Sequence, residues 1–338
     1  MPELPEVETV RRGLNRNTLH QPIQGGDVLL ERTIAYPSTI SEFLNGLQGT
    51  TIATWHRRGK YLLAELVRGK GDKGDKGDRG DKGDRGDKGD RGDRGDRGDK
   101  EGKRGTIKLA TTSPSPSSLS SPSSSSSPPA AGYLGVHLRM TGQLLWLPPT
   151  EPLQKHTRVR LFMGDRELRF VDQRTFGQMW WVPPGQPPEQ VITGLQALGP
   201  EPFSDQFSVA YLIAQLLDRR RPIKNALLDQ ALVAGVGNIY ADEALFLSSI
   251  HPTTLCSSLQ RSQIERLRSN IIRVLEASIE AGGTTISTFR DLAGVNGNYG
   301  GVAWVYGRDG DDCRQCGTVI QRLKLAGRSA HFCPTCQL

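Results

Sequence analysis

Apolar residues at helical spacing occupy the start of the chain, and short apolar runs typical of strands follow them. The spacing predicts a helix over residues 3–14, with an apolar face formed by Leu4, Val7, Val10 and Leu14. A shorter helix is expected over 41–47. Eight strands are expected, at 28–34, 51–55, 61–67, 134–138, 143–147, 158–163, 167–171 and 178–182. Many short strands separated by turn residues predict a sandwich or barrel-like sheet domain.

Helical spacing returns at residue 204 and continues to residue 280. Four helices are expected there, over 204–218, 223–232, 238–247 and 258–280. Ser204 and Asn238 are the expected N-caps of the first and third, because their side chains can accept hydrogen bonds from free helix amides. The predicted fold class is α+β in two domains, with an N-terminal helix and antiparallel β-sandwich before a helical region and a terminal hairpin.

Pro-rich and Gly-rich stretches mark the expected boundaries between these parts. The sheet domain is expected over 1–190 and a hinge over 191–203. The helical domain is expected over 204–292, and a Gly/Asn-rich loop followed by the hairpin over 293–338. The loop is expected to be mobile over 293–301.

A low-complexity insert over residues 68–132 interrupts the sheet domain. It contains ten uninterrupted Gly-Asp-Lys/Arg triplets between Gly71 and Lys100, and a Ser/Pro/Ala-rich linker over 111–132. Glycine at every third position is the collagen signature, but these triplets lack the proline of collagen-like composition. A disordered polyampholyte is favoured, because the run has no apolar surface to bury. A triple helix that acts as a trimerisation or display module is the alternative.

Size and charge permit a nucleic-acid-binding protein without requiring one. The chain has 338 residues, enough for two domains with their own cores, and a net charge of +7 with a pI of about 9.2. No apolar run approaches the roughly 18 residues of a transmembrane helix. The start of the chain is neither Arg-rich nor apolar, so neither a signal peptide nor an anchor is expected.

Four of the five cysteines lie in the last 26 residues, as Cys313-x2-Cys316-x16-Cys333-x2-Cys336. Two CxxC pairs at this separation predict one structural zinc ion held by four thiolates. The zinc would replace the core that so short a hairpin cannot build. Clustering of this kind indicates a metal site in a reducing compartment rather than a disulfide framework.

The first three residues carry a candidate nucleophile and a candidate proton donor. Removal of Met1 would leave Pro2 with a free secondary amine, and an α-amine has a reference pKa of about 7.7–8.0. Such an amine can attack an electrophilic carbon and form a Schiff base, and Glu3 can donate a proton if burial raises its pKa. The structural alternative is that a proline followed by acidic residues suits the first turn of a helix.

The opening MPELPEVETVRRGL resembles the N-terminus of the formamidopyrimidine-DNA glycosylase (Fpg) family of bacterial repair enzymes. Residues 223–247 resemble the helix–two-turns–helix motif of that family, and the terminal cysteines resemble its zinc finger. The resemblance covers residues 1–67 and 133–338. It implies a hairpin between the strands that end near Val67 and begin at Tyr133, so we expect the insert at a loop tip, where insertions are tolerated.

The resemblance implies catalytic roles for Pro2, Glu3, Lys60 and Arg328. Pro2 would attack C1′ of the damaged nucleotide while Glu3 protonates the sugar ring oxygen. Lys60 would then assist β-elimination and Arg328 would assist δ-elimination. From the residues alone, a surface arginine of the hairpin is favoured for Arg328, and His331 is expected to be a surface residue rather than a zinc ligand.

Contacts with DNA are implied for a further set of residues: His156, Arg174, Arg220, Lys224 and Asn238. Arg220 and Lys224 are candidate phosphate ligands, and ordinary solvated charges are the alternative. Asn238 would contact phosphate as well as cap its helix, because glycine turns and a helix N-terminus favour an approaching anion.

Three residues resemble the set with which the family fills the gap in the base stack. Met140 would fill the void left by an extruded base, Arg174 would read the orphaned cytosine, and Phe176 would wedge the stack. Core packing is the alternative for Met140 and Phe176. Thr175 stands where many relatives have a second arginine, which puts one phosphate contact in doubt, and no function is assigned to Arg139.

The resemblance implies a bifunctional DNA glycosylase/AP lyase of base excision repair. Its expected partner is double-stranded DNA that contains 8-oxoguanine or formamidopyrimidines, with one structural zinc and no catalytic cofactor. A cytoplasmic, nucleoid-associated monomer is expected. The alternatives are an endonuclease VIII-like enzyme for oxidised pyrimidines and a non-catalytic DNA-binding protein.

Overall fold

The structure is a computed structural model, which describes residues 1–68, 129–284, 292 and 299–338. Within these residues the α-helices are α1 (Leu4–Asn17), α2 (Ile40–Leu47), α3 (Pro188–Val191), α4 (Val209–Leu216), α5 (Ile223–Leu227), α6 (Asn238–Leu247) and α7 (Arg261–Glu280). The strands are β1 (Ile23–Val28), β2 (Ile34–Tyr36), β3 (Thr50–Arg58), β4 (Tyr61–Arg68), β5 (Ala130–His137), β6 (Gly142–Leu147), β7 (Thr157–Met163), β8 (Arg166–Asp172), β9 (Gln178–Val182), β10 (Gln321–Leu325) and β11 (Arg328–Phe332).

Two packed sheets form the N-terminal part. One sheet has the order β2-β9-β5-β4-β3 and the other β1-β7-β8-β6, and all neighbouring strands are antiparallel except the β2–β9 pair. Apolar side chains from both sheets share one core, in which Trp55 and Leu134 of the first sheet lie with Phe170 of the second. The predicted α+β fold with a β-sandwich is therefore confirmed.

A second core lies in the helical part and extends to the start of the chain. It is built from buried residues of α4 to α7, and Leu4 of α1 belongs to it. Val7, Val10 and Leu14 of the same helix pack into the core of the sheets. The first turn of α1 is thus held between the two parts of the protein.

The strand predicted over 28–34 is wrong. β1 ends at Val28, a 3-10 helix covers Glu31–Thr33, and β2 begins only at Ile34. β1 lies earlier because it pairs with β7, where a Cβ on Gly26 would lie 2.3 Å from the carbonyl oxygen of Arg160. Glycines that permit such an approach add nothing to an apolar pattern, so the pattern missed this strand. The other predicted strands are present as β3 to β9, with shifted ends.

The helices predicted over 204–218 and 223–232 are both shorter than expected. Ser208, and not Ser204, caps α4, because its Oγ accepts from the amide of Tyr211 at 3.1 Å. The Ser204 hydroxyl instead donates to the carbonyl of Glu201. α5 ends at Leu227, and the chain then turns around Asp229, whose Oδ1 accepts from the amide of Ala231.

The N-cap prediction for Asn238 is also wrong. Gly237 occupies the cap position and Asn238 is the first residue of α6. The side-chain amide of Asn238 donates to the carbonyl of Ser329 at 3.0 Å instead of serving its own helix. The helix predicted over 258–280 begins at Arg261, where Gln260 and Gln263 form a capping box.

The hairpin expected at the insert is present. β4 and β5 are antiparallel, with Tyr61 opposite His137 and Val67 opposite Ala130, and the amide of Arg68 donates to the carbonyl of Pro129 at 3.1 Å. The polyampholyte and triple-helix predictions concern the triplets over 71–100, which lie outside the described residues, as does most of the 293–301 loop. The insert bounds of 68–132 and the linker end at 132 are wrong, because Arg68 belongs to β4 and residues 130–132 belong to β5. Within the described part of the chain, no helix combines the length and apolarity that a membrane crossing needs.

Candidate active site

The N-terminus is anchored by its own helix and by the glycine turns before α6. The amide of Leu4 donates to the carbonyl of Gly235 at 3.0 Å, and the amide of Glu3 donates to Glu6 Oε2 at 2.8 Å. Gly235 has φ +91°, and a Cβ there would lie 2.6 Å from a methyl carbon of Leu4. The close approach therefore requires glycine. As a result Pro2 is buried at a fixed place, while Met1 remains 37% exposed.

Glu3 is a buried carboxyl group at the N-terminus of α6. Its Oε1 accepts from the amide of Ile239 at 3.1 Å, and within the described residues its buried Oε2 has no hydrogen-bond partner. Burial raises the pKa of Glu3 to about 7, and the opposing charge of Lys60 only partly offsets this rise. A substantial fraction of Glu3 is thus protonated near neutral pH, as a proton donor requires.

Lys60 lies in the same buried region. Its ammonium group donates to the carbonyl of Val236 at 3.0 Å, and the side chain is largely shielded from solvent. Burial lowers the pKa of Lys60 to about 8; Glu3 opposes this shift, and the charge of Arg328 adds to it. Lys60 can therefore exchange a proton close to neutral pH, which an ordinary surface lysine does not.

A cavity of about 360 Å³ joins these groups. Its lining includes Met1, Lys60, His137, Arg139 and Arg328. Two of the predicted catalytic residues, Lys60 and Arg328, therefore line one cavity, and Met1, which is bonded directly to Pro2, lines it with them. Arg328 stands at the start of β11 and is exposed to this space.

His137 and Glu6 belong to the site, although the sequence pattern did not single them out. His137 Nδ1 accepts from the amide of Arg139, and burial together with the cations Arg139 and Lys60 lowers the pKa of His137 to about 3. Its imidazole is therefore neutral. Glu6 Oε1 accepts from the hydroxyl of Tyr240 at 2.6 Å and from the amide of Thr284. The available signals were that Glu6 lies within the N-terminal motif MPELPEVETVRRGL and that His137 lies three residues before Met140.

A buried ion pair connects α5, α6 and the terminal hairpin. Lys224 Nζ lies 2.5 Å from Asp242 Oδ1 and donates to the carbonyl of Ser329. Lys224 is 1% exposed, so the solvated-charge alternative is wrong for it. His331 was expected at the surface and is instead 5% exposed, with Nδ1 3.1 Å from Asp242 Oδ2. The expectation failed because β11 packs on α6, which an isolated hairpin sequence does not reveal.

The four hairpin cysteines form a set that fits a zinc ion. Their sulfur atoms all lie within 4.8 Å of one another, with Cys313 to Cys336 at 4.0 Å and Cys316 to Cys333 at 3.5 Å. Tetrahedral Zn–S bonds of about 2.3 Å place sulfur atoms roughly 3.8 Å apart. The predicted ligand set is thus brought together, and bound zinc would stabilise the hairpin that carries Arg328.

The residues predicted to enter the base stack lie around a second, open cavity of about 500 Å³. Met140, Phe176, Thr175 and Arg32 line it, and Met1 lines both cavities. Phe176 is 52% exposed, which contradicts the core-packing alternative. Arg174 lies with its guanidinium carbon 4.9 Å from the centre of the Phe176 ring.

Two predicted DNA contacts lie apart from these cavities. His156 lies in the loop before β7, half-buried, with Nδ1 3.2 Å from the guanidinium of Arg158. Arg220 is exposed on the surface before α5. The structure therefore groups Lys60 and Arg328 at one cavity and Met140 and Phe176 at a second, and it leaves His156 and Arg220 outside both.

Comparison with known proteins identifies the family of this chain. Three family models match the chain: the formamidopyrimidine-DNA glycosylase N-terminal domain over residues 1–78 and 91–179, the formamidopyrimidine-DNA glycosylase H2TH domain over 198–290, and the zinc finger found in FPG and IleRS over 310–338. The formamidopyrimidine-DNA glycosylase of Nostoc punctiforme is 57% identical over 338 residues, covering 100% of this chain and 96% of the relative. The chain belongs to the formamidopyrimidine-DNA glycosylase family.

Other members of the family are similarly close. The formamidopyrimidine-DNA glycosylase of Trichodesmium erythraeum is 53% identical, with full coverage of both chains. Among solved structures, Lactococcus lactis Fpg in complex with DNA containing an abasic site has a TM-score of 0.75 at 30% identity, and 99% of each chain is covered. MutM in complex with DNA containing carbocyclic 8-oxo-G has a TM-score of 0.74 at 30% identity, with the same coverage. The family membership supports one structural zinc at the cysteine cluster.

Proposed function

We propose that this chain is a DNA glycosylase/AP lyase that excises oxidised purines, 8-oxoguanine and formamidopyrimidines, from double-stranded DNA. The observation that carries the proposal is the shared burial of Glu3 and Lys60 beside the N-terminus, at a cavity that also reaches Arg328. Relatives with the same fold have been captured on DNA that contains Fapy-dG and carbocyclic 8-oxo-G. Similarity to them supports the class of substrate.

Base removal would begin once Met1 has been cleaved from the chain. The Pro2 amine attacks C1′ of the damaged nucleotide, and the glycosidic bond breaks with its electron pair on the leaving base, which takes up the proton that the amine releases. Protonated Glu3 delivers a proton to the sugar ring oxygen. Opening of the ring leaves an iminium between Pro2 and C1′. The unpartnered Oε2 of Glu3 is the oxygen free to hold that proton.

Strand cleavage would follow from the same iminium. Loss of a C2′ proton expels the 3′ phosphate by β-elimination, assisted by Lys60, and a second elimination assisted by Arg328 expels the 5′ phosphate. The lowered pKa of Lys60, about 8, suits a group that exchanges protons near neutral pH. The planar guanidinium of Arg328 would pair with phosphate.

DNA contacts are proposed for the remaining predicted residues. Met140, Arg174 and Phe176 would occupy the stack after the damaged base leaves it. His156, Arg220, Lys224 and Asn238 would contact or orient phosphates, and the pairing of Lys224 with Asp242 makes its contribution one of orienting the Ser329 backbone beside Arg328. The domain boundaries at 190, 203 and 292 and a cytoplasmic, nucleoid-associated monomer remain part of the proposal.

The test is borohydride trapping on a duplex with 8-oxoguanine opposite cytosine, with mass spectrometry to locate the crosslink. A crosslink at an N-terminal Pro2 is expected, and Glu3→Gln is the matched control that should retain binding but excise little base. Tight binding without any crosslink would favour the non-catalytic alternative. A thymine glycol duplex assayed in parallel tests the oxidised-pyrimidine alternative.

A further inference from the structure

Four residues predicted to touch DNA lie far apart in the sequence but meet around one buried carboxylate. Met140 lies between β5 and β6, His156 lies before β7, and Arg174 and Phe176 lie between β8 and β9. Asp172 is the last residue of β8, and it is 1% exposed. The proposed chemistry assigns no role to Asp172.

The side chain of Asp172 binds the loops on both sides of the base-stack residues. Oδ1 accepts from the hydroxyl of Thr141 at 2.5 Å, and Oδ2 accepts from the amide of Gly177 at 2.7 Å. The Thr141 hydroxyl oxygen in turn accepts from the amide of Arg174 at 3.0 Å. Arg174 is therefore held by its own backbone amide. Met140 and Phe176 are held through the residues that follow them, Thr141 and Gly177.

The backbone of Asp172 holds the fourth residue. Its amide donates to the carbonyl of His156 at 2.9 Å, and its carbonyl accepts from Arg158 Nε at 2.8 Å. At the other loop, a Cβ on Gly177 would lie 2.4 Å from the Phe170 ring and 3.1 Å from Asp172 Oδ2. Glycine is therefore required for the amide of residue 177 to reach the carboxylate.

We propose that Asp172 and Thr141 form a clasp that positions Met140, Arg174 and Phe176 for entry into the base stack. Both are positioning residues, because neither faces the catalytic cavity. The inference rests on the proposed function and adds the residues that hold its base-stack residues in place. The charge of a buried carboxylate strengthens both of its hydrogen bonds, and together they restrain two loops that would otherwise move independently.

The test compares Thr141→Val, which has the same shape without the hydroxyl, with the conservative Thr141→Ser. Excision of 8-oxoguanine from a duplex requires insertion, whereas cleavage of a preformed abasic site in single-stranded DNA does not. Thr141→Val should lower single-turnover excision about tenfold while single-strand cleavage changes less than twofold, because one charge-assisted hydrogen bond is lost. Thr141→Ser should restore duplex excision, and Asp172→Asn should have the same pattern as Thr141→Val with a larger loss.

A spectroscopic measurement separates the clasp from the chemistry. 2-Aminopurine is placed opposite a tetrahydrofuran site, which the enzyme can bind but not cleave. Binding of the unaltered protein should brighten the probe, and Thr141→Val should lose most of that increase. Equal signals for valine and serine variants, or a parallel loss of both activities with the melting temperature, would overturn the clasp. If the unaltered protein brightens the probe and Thr141→Val loses that increase, but the unaltered protein neither excises nor cleaves, the proposed function fails while the clasp stands.

Discussion

Glu3 and Lys60 are bound to backbone groups only three residues apart, the amide of Ile239 and the carbonyl of Val236. The Gly237 cap lies between them, and a Cβ there would lie 2.2 Å from the carboxyl carbon of Glu3. One glycine turn therefore sets the positions of an acid and an amine with pKa values of about 7 and about 8. Glu3 and Lys60 lie close together because the backbone of residues 236–239 contacts both side chains.

The pH dependence of base excision should follow Glu3. The rate should fall as pH rises through about 7, because the proposed donor is the protonated carboxyl group. Single-turnover excision between pH 5.5 and 9 measures this limb. Glu3→Gln should be slow at every pH and lack the limb, and an unchanged limb in that variant would assign it to another group.

Stability should also depend on pH through Glu3. Its pKa is 4.5 in the reference state and about 7 when folded, so the folded protein binds the extra proton and loses stability as pH rises from 4.5 to 7. Glu3→Gln should therefore raise the free energy of unfolding at pH 8 by up to about 3 kcal/mol. Urea unfolding of the unaltered protein and of Glu3→Gln at pH 5 and pH 8 measures this change. If the two proteins differ in free energy of unfolding by the same amount at both pH values, the linkage is contradicted.

The Lys224–Asp242 pair should behave as one buried unit. Lys224→Met or Asp242→Asn alone should cost about 3–5 kcal/mol, because each leaves an uncompensated buried group. The double variant should be no less stable than the worse single variant, since both charges are gone. Urea unfolding of the unaltered protein, the two single variants and the double variant completes this double-mutant cycle. Additive losses would show that the two side chains act independently.

Zinc removal should uncouple the hairpin from the rest of the protein. We expect one zinc per chain by elemental analysis, and loss of it on treatment with a strong chelator should abolish strand cleavage while the sheet core keeps its unfolding transition. Cys316→Ser should reproduce this loss. Cys256→Ala is the matched control, because Cys256 lies in the helical core, and it should retain the metal.

Local patterns in the sequence predicted most of the helices and strands and the four cysteines that can bind zinc. Apolar periodicity located α1, α2 and seven strands of the sandwich, and cysteine spacing identified the four sulfur atoms that the structure brings together. The apolar pattern failed where a contact with another part of the chain, or a side-chain hydrogen bond, defines the ends of an element. β1 is defined by pairing across two glycines, and α5 ends where Asp229 makes a turn, neither of which changes the apolar period.

The sequence by itself determined which residues have the chemistry this site uses: a proline and a glutamate at the start, a lysine after a glycine, and paired cysteines at the end. Only the tertiary structure decided their protonation and neighbours. The pKa of Glu3 rises because α1 is inserted between two cores, and His331 is buried because β11 packs against α6. Burial and long-range pairing depend on the whole fold, so no local pattern encodes them.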